Sequence, residues 1–318
     1  MQTSVKPALE VSTKVAQTIV DRVRPNVEVV SVTRIHGGEM AAIHEIGLDD
    51  GALLILKVYP EFVRWKMSKE ANIARLIDGR LGVASPRVLV TDDSKELLDL
   101  NFLIMTRLAG QRLGRLEPTL TVEQRASAYN QIGRLLRDFH RIPMPAFGYI
   151  GANGISSPQT SNHAYVTAQF GRKLKEFVER GGANDVALRI EQHIATRTDV
   201  LHDCTTAVLC HNDMHAGNLL AAIGEPDGDL RLTGVVDFEG ALAGDPLKDI
   251  AKAMYYLGEP DRRAVLEGYG ATGRGRTEAA LALYHLLFVL ELWCWMAQIG
   301  NPAPLPALAG DLERFSAP

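Results

Sequence analysis

At 318 residues, 46% of them hydrophobic and 23% charged, the chain is long enough for about two lobes with separate cores and has an ordinary globular composition. Its 34 basic and 38 acidic residues leave a net charge of −4, and no basic tract invites nucleic acid or another polyanion. Cys204, Cys210 and Cys294 form neither a disulfide framework nor a paired metal motif, residues 1–10 lack the apolar core of a signal peptide, and a cytoplasmic location is expected.

Apolar spacing at Val15, Ile19, Val20 and Val23 predicts a short amphipathic helix over residues 11–23, closed by Pro25. Strand-like runs follow at 27–33, 41–46 and 52–59, separated by a segment holding Gly37 and Gly38 and by the turn signal Asp49-Asp50-Gly51. Two glycines admit a phosphate close to the backbone, and a lysine on the third strand, Lys57, supplies a fixed charge. The same pair also suits a plain hairpin, and Lys57 could face solvent. Because Lys57 interrupts the apolar run Leu53-Leu54-Ile55-Leu56, an inward amine needs a partner. Residues 64–78 predict a helix, and its Glu70 is preferred over Glu61 for that partnership. Strands at 86–90 and 101–105 lead into a connector, where the backbone of Thr106 and Leu108 would read a nucleotide base or simply join two elements.

Near residue 110 the hydrophobic period changes from strand to helix, which divides the chain into residues 1–108 and 109–318. Helices are expected over 122–140, 164–180, 185–203, 246–256, 261–269 and 277–299. A loop rich in Pro, Gly and aromatics at 143–158 reads as a lid or a lobe connector. Residues 279–297 are long and apolar enough to span a bilayer, but His285 and Glu291 interrupt them and no basic flank orients them. A buried helix is expected there and no membrane partner.

The chemistry concentrates at 208–249. Apolar runs at 207–209 and 232–236 each deliver a carboxylate, Asp213 and Asp237, and Asn218 lies five residues after Asp213. Phosphoryl transfer asks mainly for positioning and charge neutralisation. Asp213 could take or orient the proton of an attacking hydroxyl, while Asn218 and Asp237 offer the hard oxygens that magnesium prefers. The alternation of His211, Asp213 and His215 equally allows a metallohydrolase triad, and a purely structural polar loop is the third reading.

His211-Asn212-Asp213-Met214-His215-Ala216-Gly217-Asn218, then Asp237-Phe238-Glu239 with Gly244-Asp245-Pro246 and Asp249, resembles the aminoglycoside phosphotransferase and choline kinase-like superfamily. The resemblance covers residues 30–300 and implies an α+β, protein-kinase-like two-lobed fold, with an antiparallel sheet N-lobe and a mainly helical C-lobe. It implies that Asp213 activates a substrate hydroxyl, that Asn218 and Asp237 hold Mg2+, and that Lys57 with Glu70 engages the phosphates of ATP, with GTP as the alternative. Asp245 and Asp249 would brace the loop. Asp-Phe-Glu replaces the Asp-Phe-Gly of protein kinases, and no activation segment ending in Ala-Pro-Glu follows, so a small-molecule acceptor is implied. An aminoglycoside-like antibiotic hydroxyl, in a resistance role, ranks first. A metabolic hydroxyl such as choline, homoserine or a sugar ranks second, and a non-catalytic nucleotide-binding protein is the remaining reading. Glu239, Glu259, Asp261 and Glu291 could attract a cationic acceptor, and Trp293 and Trp295 could stack on it, unless they are surface charges and core rings. A monomer or homodimer is expected.

Overall fold

The computed structural model describes residues 10–35, 41–96, 99–225 and 228–317. Helix α1 (Thr13–Val20) begins at Ser12, whose hydroxyl accepts from the Val15 N–H. Strands β1 (Val29–Ile35), β2 (Ala42–Leu48) and β3 (Leu53–Tyr59) lead to helix α2 (Arg64–Ile77), then β4 (Val88–Asp92) and β5 (Asn101–Thr106). The five strands form one antiparallel sheet in the order β1-β2-β3-β5-β4. Gly37 and Gly38 lie outside the described residues.

Alternation along β3 decides where Lys57 goes. Leu54, Leu56 and Val58 pack with Ala16, Ile19 and Val20 of α1, and the opposite face carries Tyr59 against Met67 and Ala71 of α2. Lys57 shares the second face and therefore points at α2, not at solvent.

After the connector come β6 (Gln111–Arg112), the one-turn α3 (Leu113–Leu116) and α4 (Val122–His140), whose Thr121 and Gln124 form a reciprocal capping box. The 143–158 segment is not an irregular loop. It folds into a hairpin, β7 (Phe147–Gly151) and β8 (Gly154–Gln159), pinned to the helical lobe because β7 pairs with β12 (Leu242–Gly244). Its turn also touches the N-lobe, where Asn72 Nδ2 donates to Ala152 O at 2.7 Å and Trp65 meets Tyr149 edge-on. The Pro and Gly content hid a strand pair at a sheet edge, where a missing N–H costs nothing.

Helices α5 (Asn162–Glu179) and α6 (Asn184–Ala195) follow; the helix expected to reach 203 stops at Ala195 and resumes as a 3-10 turn, Thr198–Asp203. Strands β9 (Val208–Cys210), β10 (Leu219–Ile223) and β11 (Leu230–Val235) carry the central motif, and α7 (Pro246–Met254), α8 (Glu259–Tyr269), α9 (Thr277–Gln298) and an unanticipated α10 (Leu305–Phe315) complete the lobe. Strand β9 pairs with β12, and β10 with both β11 and β6. The long apolar α9 buries Leu286, Leu287, Val289 and Leu290 in the C-lobe core beside α5, α7 and α10.

Two glycines let α4 and α8 cross in close contact. A Cβ on Gly133 would lie 2.0 Å from Val265 O, and one on Gly268 1.9 Å from Asn130 O. The obstacle is backbone on both sides, so the helices themselves would have to separate. Gly268→Ala is therefore expected to destabilise the protein by about 3 kcal/mol or more, overriding alanine's helix preference. Urea unfolding checks this; an unchanged midpoint would remove the tight crossing from the account.

Candidate active site

A cleft of about 1970 Å³ separates the lobes, lined by Ile43, Ile55, Lys57 and Met105 above and by Asp213, Asn218 and Asp237 below. Lys57 Nζ sits 2.6 Å from Glu70 Oε2, with both side chains buried. Burial works against the ammonium, but the Glu70 carboxylate, helped by Glu239 and Asp237, holds its pKa well above the ordinary lysine value. Tyr59 also donates its hydroxyl to Glu70. Glu61, the rival partner, instead meets Lys95 at 2.8 Å and Asn101 at 3.1 Å.

Strand pairing places the polar residues of the lower lobe. Leu219 pairs with Val235, and Val236 N donates to Asn218 O at 3.0 Å, so Asn218 and Asp237 emerge side by side where β10 begins and β11 ends. Asn218 turns its Nδ2 to Asp213, 2.9 Å from the main-chain oxygen and 3.0 Å from Oδ2. That leaves the Asn218 amide oxygen as a hard donor beside Asp237. Asp237 adopts a left-handed conformation (φ 70°), a strain on the order of 1 kcal/mol that persists at such turns only when the surroundings impose it. Among the described residues its carboxylate has no hydrogen bond or ion pair. A carboxylate outside any ion pair, next to an amide oxygen, fits a divalent, oxygen-preferring cation.

Asp213 faces the cleft with its side chain 40% exposed. Lys252 Nζ lies 3.4 Å from Oδ1 and His215 Nε2 3.6 Å from Oδ2. Partial burial pushes this carboxyl up, but the His215 side chain and the Lys252 charge outweigh it and hold it well below the usual carboxylate range.

Beneath the loop, Asp249 accepts from the backbone N–H groups of His211 (2.7 Å) and Asn212 (2.8 Å) and meets His140 Nε2 at 3.2 Å. Asn212 is held left-handed at φ 57°. Asp245 caps α7 through the Leu247 N–H and receives both 2.7 Å contacts of Arg274 Nη1. His211 is fully buried, packed edge-on against Phe139 and Phe238, and donates from Nε2 to Val236 O at 3.2 Å. Burial lowers its pKa, so the ring is neutral. It turns into the core while His215 turns to the cleft, so the alternating metallohydrolase triad does not assemble. The segment leaves the extended conformation at Asn212, which breaks the period-2 pattern on which that reading depended.

In the connector, Thr106 N–H is committed to Arg87 O at 3.0 Å and Arg107 N–H to Leu53 O at 3.3 Å. Leu108 N–H makes no hydrogen bond among the described residues, and both Thr106 and Leu108 line the cleft. Gly110 follows at φ 102°, where a Cβ would fall 2.8 Å from Ala221 O; only glycine lets this strand lie on β10.

Three lysines escaped the sequence reading. Glu239 is held by Lys57 (3.5 Å) and Lys66 (3.0 Å), and its main-chain oxygen accepts from Lys69 Nζ at 2.6 Å and Tyr149 OH at 3.2 Å. Lys66, Lys69 and Glu70 are neighbours on α2, and one turn of helix presents all three to the Asp237 segment; the i, i+3, i+4 spacing was the available signal. Lys252 stands three residues past Asp249 on α7.

Lys69 is fully buried, with its Nζ 3.7 Å from the Tyr149 ring centroid. Burial, joined by the Lys66 charge and opposed by Glu239, lowers its pKa to about 7. The unfolded chain then binds one more proton than the folded chain between pH 7 and 10, so stability is lost as pH falls toward 7 and recovered as pH rises. The expected slope is at most about 1.4 kcal/mol per pH unit, and Lys69→Met should flatten it. Urea titrations at pH 7 and 9 would show this; equal slopes for both proteins would exclude Lys69 as the source.

A five-stranded sheet lobe joined through a short connector to a helical lobe, with the polar groups gathered in the cleft between them, defines a protein-kinase-like phosphotransferase fold. The chain belongs to the phosphotransferase enzyme family, whose model matches residues 31–284. No curated protein matches the sequence. Among solved structures, a thermostable mutant of aminoglycoside phosphotransferase APH(4)-Ia in its apo form is 17% identical with a TM-score of 0.72, over 94% of this chain and 97% of that one. The same enzyme in ternary complex with ADP and hygromycin B gives 18% and 0.71, over 96% and 98%. The GDP and kanamycin complex of APH(2")-IIia gives 15% and 0.69, over 94% and 97%. At these identities the likeness is one of fold.

Proposed function

We propose that the chain transfers the γ-phosphate of a nucleoside triphosphate, ATP in the first instance and GTP as the alternative, to a hydroxyl of a small molecule. The reading rests on one observation above all: Asp213 and Asp237, two carboxylates of one cleft, stand in opposite surroundings. Asp213 is ringed by Lys252, His215 and Asn218, whereas Asp237 forms no ion pair or hydrogen bond among the described residues and feels Lys57 only at longer range. That inequality suits a proton acceptor and a cation ligand respectively.

In this reading the acceptor oxygen bonds to the γ-phosphorus, the bond from that phosphorus to the bridging oxygen breaks, and the nucleoside diphosphate leaves. The acceptor's proton passes to Asp213 Oδ1 or Oδ2. Asn218 and Asp237 would hold magnesium, which when bound neutralises charge on the phosphates. Lys57, fixed by Glu70, would meet the phosphates, and the backbone at Thr106 and Leu108 would meet the base against Ile43, Ile55 and Met105. The complexes of similar enzymes with ADP or GDP support a nucleotide in this cleft by analogy.

For the acceptor, the similar enzymes bound to hygromycin B and kanamycin support an aminoglycoside-like hydroxyl, again by analogy. A specific observation favours the second reading, a metabolic hydroxyl, because three of the four carboxylates expected to draw a polycation are occupied and the fourth, Glu259, is exposed and does not line the cleft. Glu239 serves the lysines, Asp261 forms a paired contact with Arg125, and Glu291 holds Lys248 at 3.0 Å. Trp293 is core, 4.4 Å from Phe177, and of these two tryptophans Trp295 is the one that reaches the cleft.

A coupled phosphate-transfer assay with ATP and GTP against hydroxyl compounds of both kinds tests the proposal. Asp237→Asn, which keeps the left-handed backbone accessible, is expected to raise the magnesium concentration for half-maximal rate at least about tenfold and to cut the rate. An unchanged magnesium dependence would remove Asp237 as the ligand.

A further inference from the structure

The acceptor half of the cleft lies between α5, α7 and α9, roofed by Tyr149 and the β8 serines. Tyr165, Gln169 and Arg172 line one stripe of α5, while Phe288, Glu291 and Trp295 line one stripe of α9, each at helical spacing. Asp237 being set aside for the metal cation, the other carboxylates beside this half each have a cation against them. Asp213 has Lys252 at 3.4 Å, Glu239 has Lys66 at 3.0 Å, and Glu291 has Lys248 at 3.0 Å, the last lysine being almost wholly buried. Arg172 is different. Its guanidinium donates to the Gln169 amide oxygen and forms no ion pair among the described residues, at an exposed position on the wall.

Resting on the phosphotransfer reading above, we propose that the acceptor is an anionic hydroxyl compound, bearing a carboxylate or a phosphate that Arg172 receives, and not a polyamine sugar. The physical reason is charge balance in a partly desolvated pocket. A polycation must find carboxylates there, and each one that Lys66, Lys248 or Lys252 already holds would have to release its own partner. An anion meets one uncompensated guanidinium, whose planar fork suits either oxyanion. Lys252, with its Nζ 5.2 Å from the Phe288 ring centroid, keeps Asp213 paired beside the reacting hydroxyl, so an ammonium group there would meet a carboxylate already held. The aromatic walls at Tyr165 and Trp295 take the uncharged body of the molecule.

The test uses the full chain in two stages. Calorimetry with magnesium and non-hydrolysable ATP and GTP analogues comes first, because failure to bind either would overturn the phosphotransfer reading itself and the acceptor class with it. Acceptors are then titrated into that complex, and assayed for transfer with the triphosphate that binds, in three sets: hydroxycarboxylates, phosphorylated sugars and polyols, and the aminoglycosides kanamycin and hygromycin B. The expected result is binding and phosphorylation of a member of one anionic set, and which set responds separates carboxylate from phosphate. Arg172→Glu should raise its KM on the order of tenfold or more with kcat changed much less, Arg172→Lys should recover part of the loss, and added salt should weaken binding. Tighter binding of an aminoglycoside than of any anion, an anion whose KM ignores Arg172, or no anionic acceptor in either set would overturn the proposal.

Discussion

Asp213→Asn is expected to slow phosphate transfer by about 10²–10⁴-fold while leaving nucleotide affinity within about threefold of the parent. Asparagine is close in size, and its amide oxygen can still accept from Asn218 Nδ2, so the loop keeps its shape. What disappears is the capacity to take a proton and the charge that Lys252 and His215 surround at 3.4 and 3.6 Å. Because Asp213 would act on the acceptor and not on the phosphates, kcat carries the loss. Single-turnover transfer and calorimetry with a non-hydrolysable nucleotide separate the two. A variant keeping kcat within about threefold would leave the carboxylate with no chemical role and favour a nucleotide-binding protein without turnover.

The second large effect concerns a residue that never reaches the cleft. Asp249 is fully buried and satisfies two backbone N–H groups, those of His211 and Asn212, besides facing His140. Truncation to alanine leaves those donors in a dry core, at a cost of about 3–5 kcal/mol. It also frees Asn212 from its left-handed turn, whose geometry aims the next residue, Asp213. Asp249→Ala is therefore expected to lower the stability of the helical lobe by that amount and to reduce transfer more than about 100-fold in the folded fraction, since misplaced reacting groups are costly. Asp249→Asn keeps one acceptor oxygen and should recover part of both losses. Urea unfolding followed by near-ultraviolet signals, beside the transfer assay, checks this. A midpoint unchanged by the alanine substitution would mean the loop is held by other contacts, such as Asn212 Nδ2 to Gly240 O at 3.0 Å.

Much of this molecule was legible before any coordinates. Period-2 and period-3.6 patterning located β3, α2 and α4 to within a residue, because each buries one continuous apolar face. The charge of Lys57 inside an apolar strand required a buried partner, and the helical position of Glu70 named it. The spacing from Asp213 to Asn218 placed both in one loop. Where the reading failed, the deciding interactions were long-range. The 143–158 segment became a hairpin because β12, almost a hundred residues later, offered an edge to pair with. His211 left the cleft because Phe139 and Phe238 closed around it.

By itself, then, the amino-acid sequence determined the two-lobed division, the longer strands and helices that bury one continuous apolar face, and the motif residues Lys57, Glu70, Asp213, Asn218 and Asp237, since local patterning and residue chemistry suffice for these. Tertiary structure alone decided which charges are already compensated. Glu239, Asp213 and Glu291 read alike as free carboxylates along the chain, yet Lys66 from α2, Lys252 and Lys248 from α7 arrive across 173, 39 and 43 positions to neutralise them. A carboxylate's power to attract a ligand depends on what stands within a few ångströms of it, and Coulomb interactions follow distance in space, not separation in sequence.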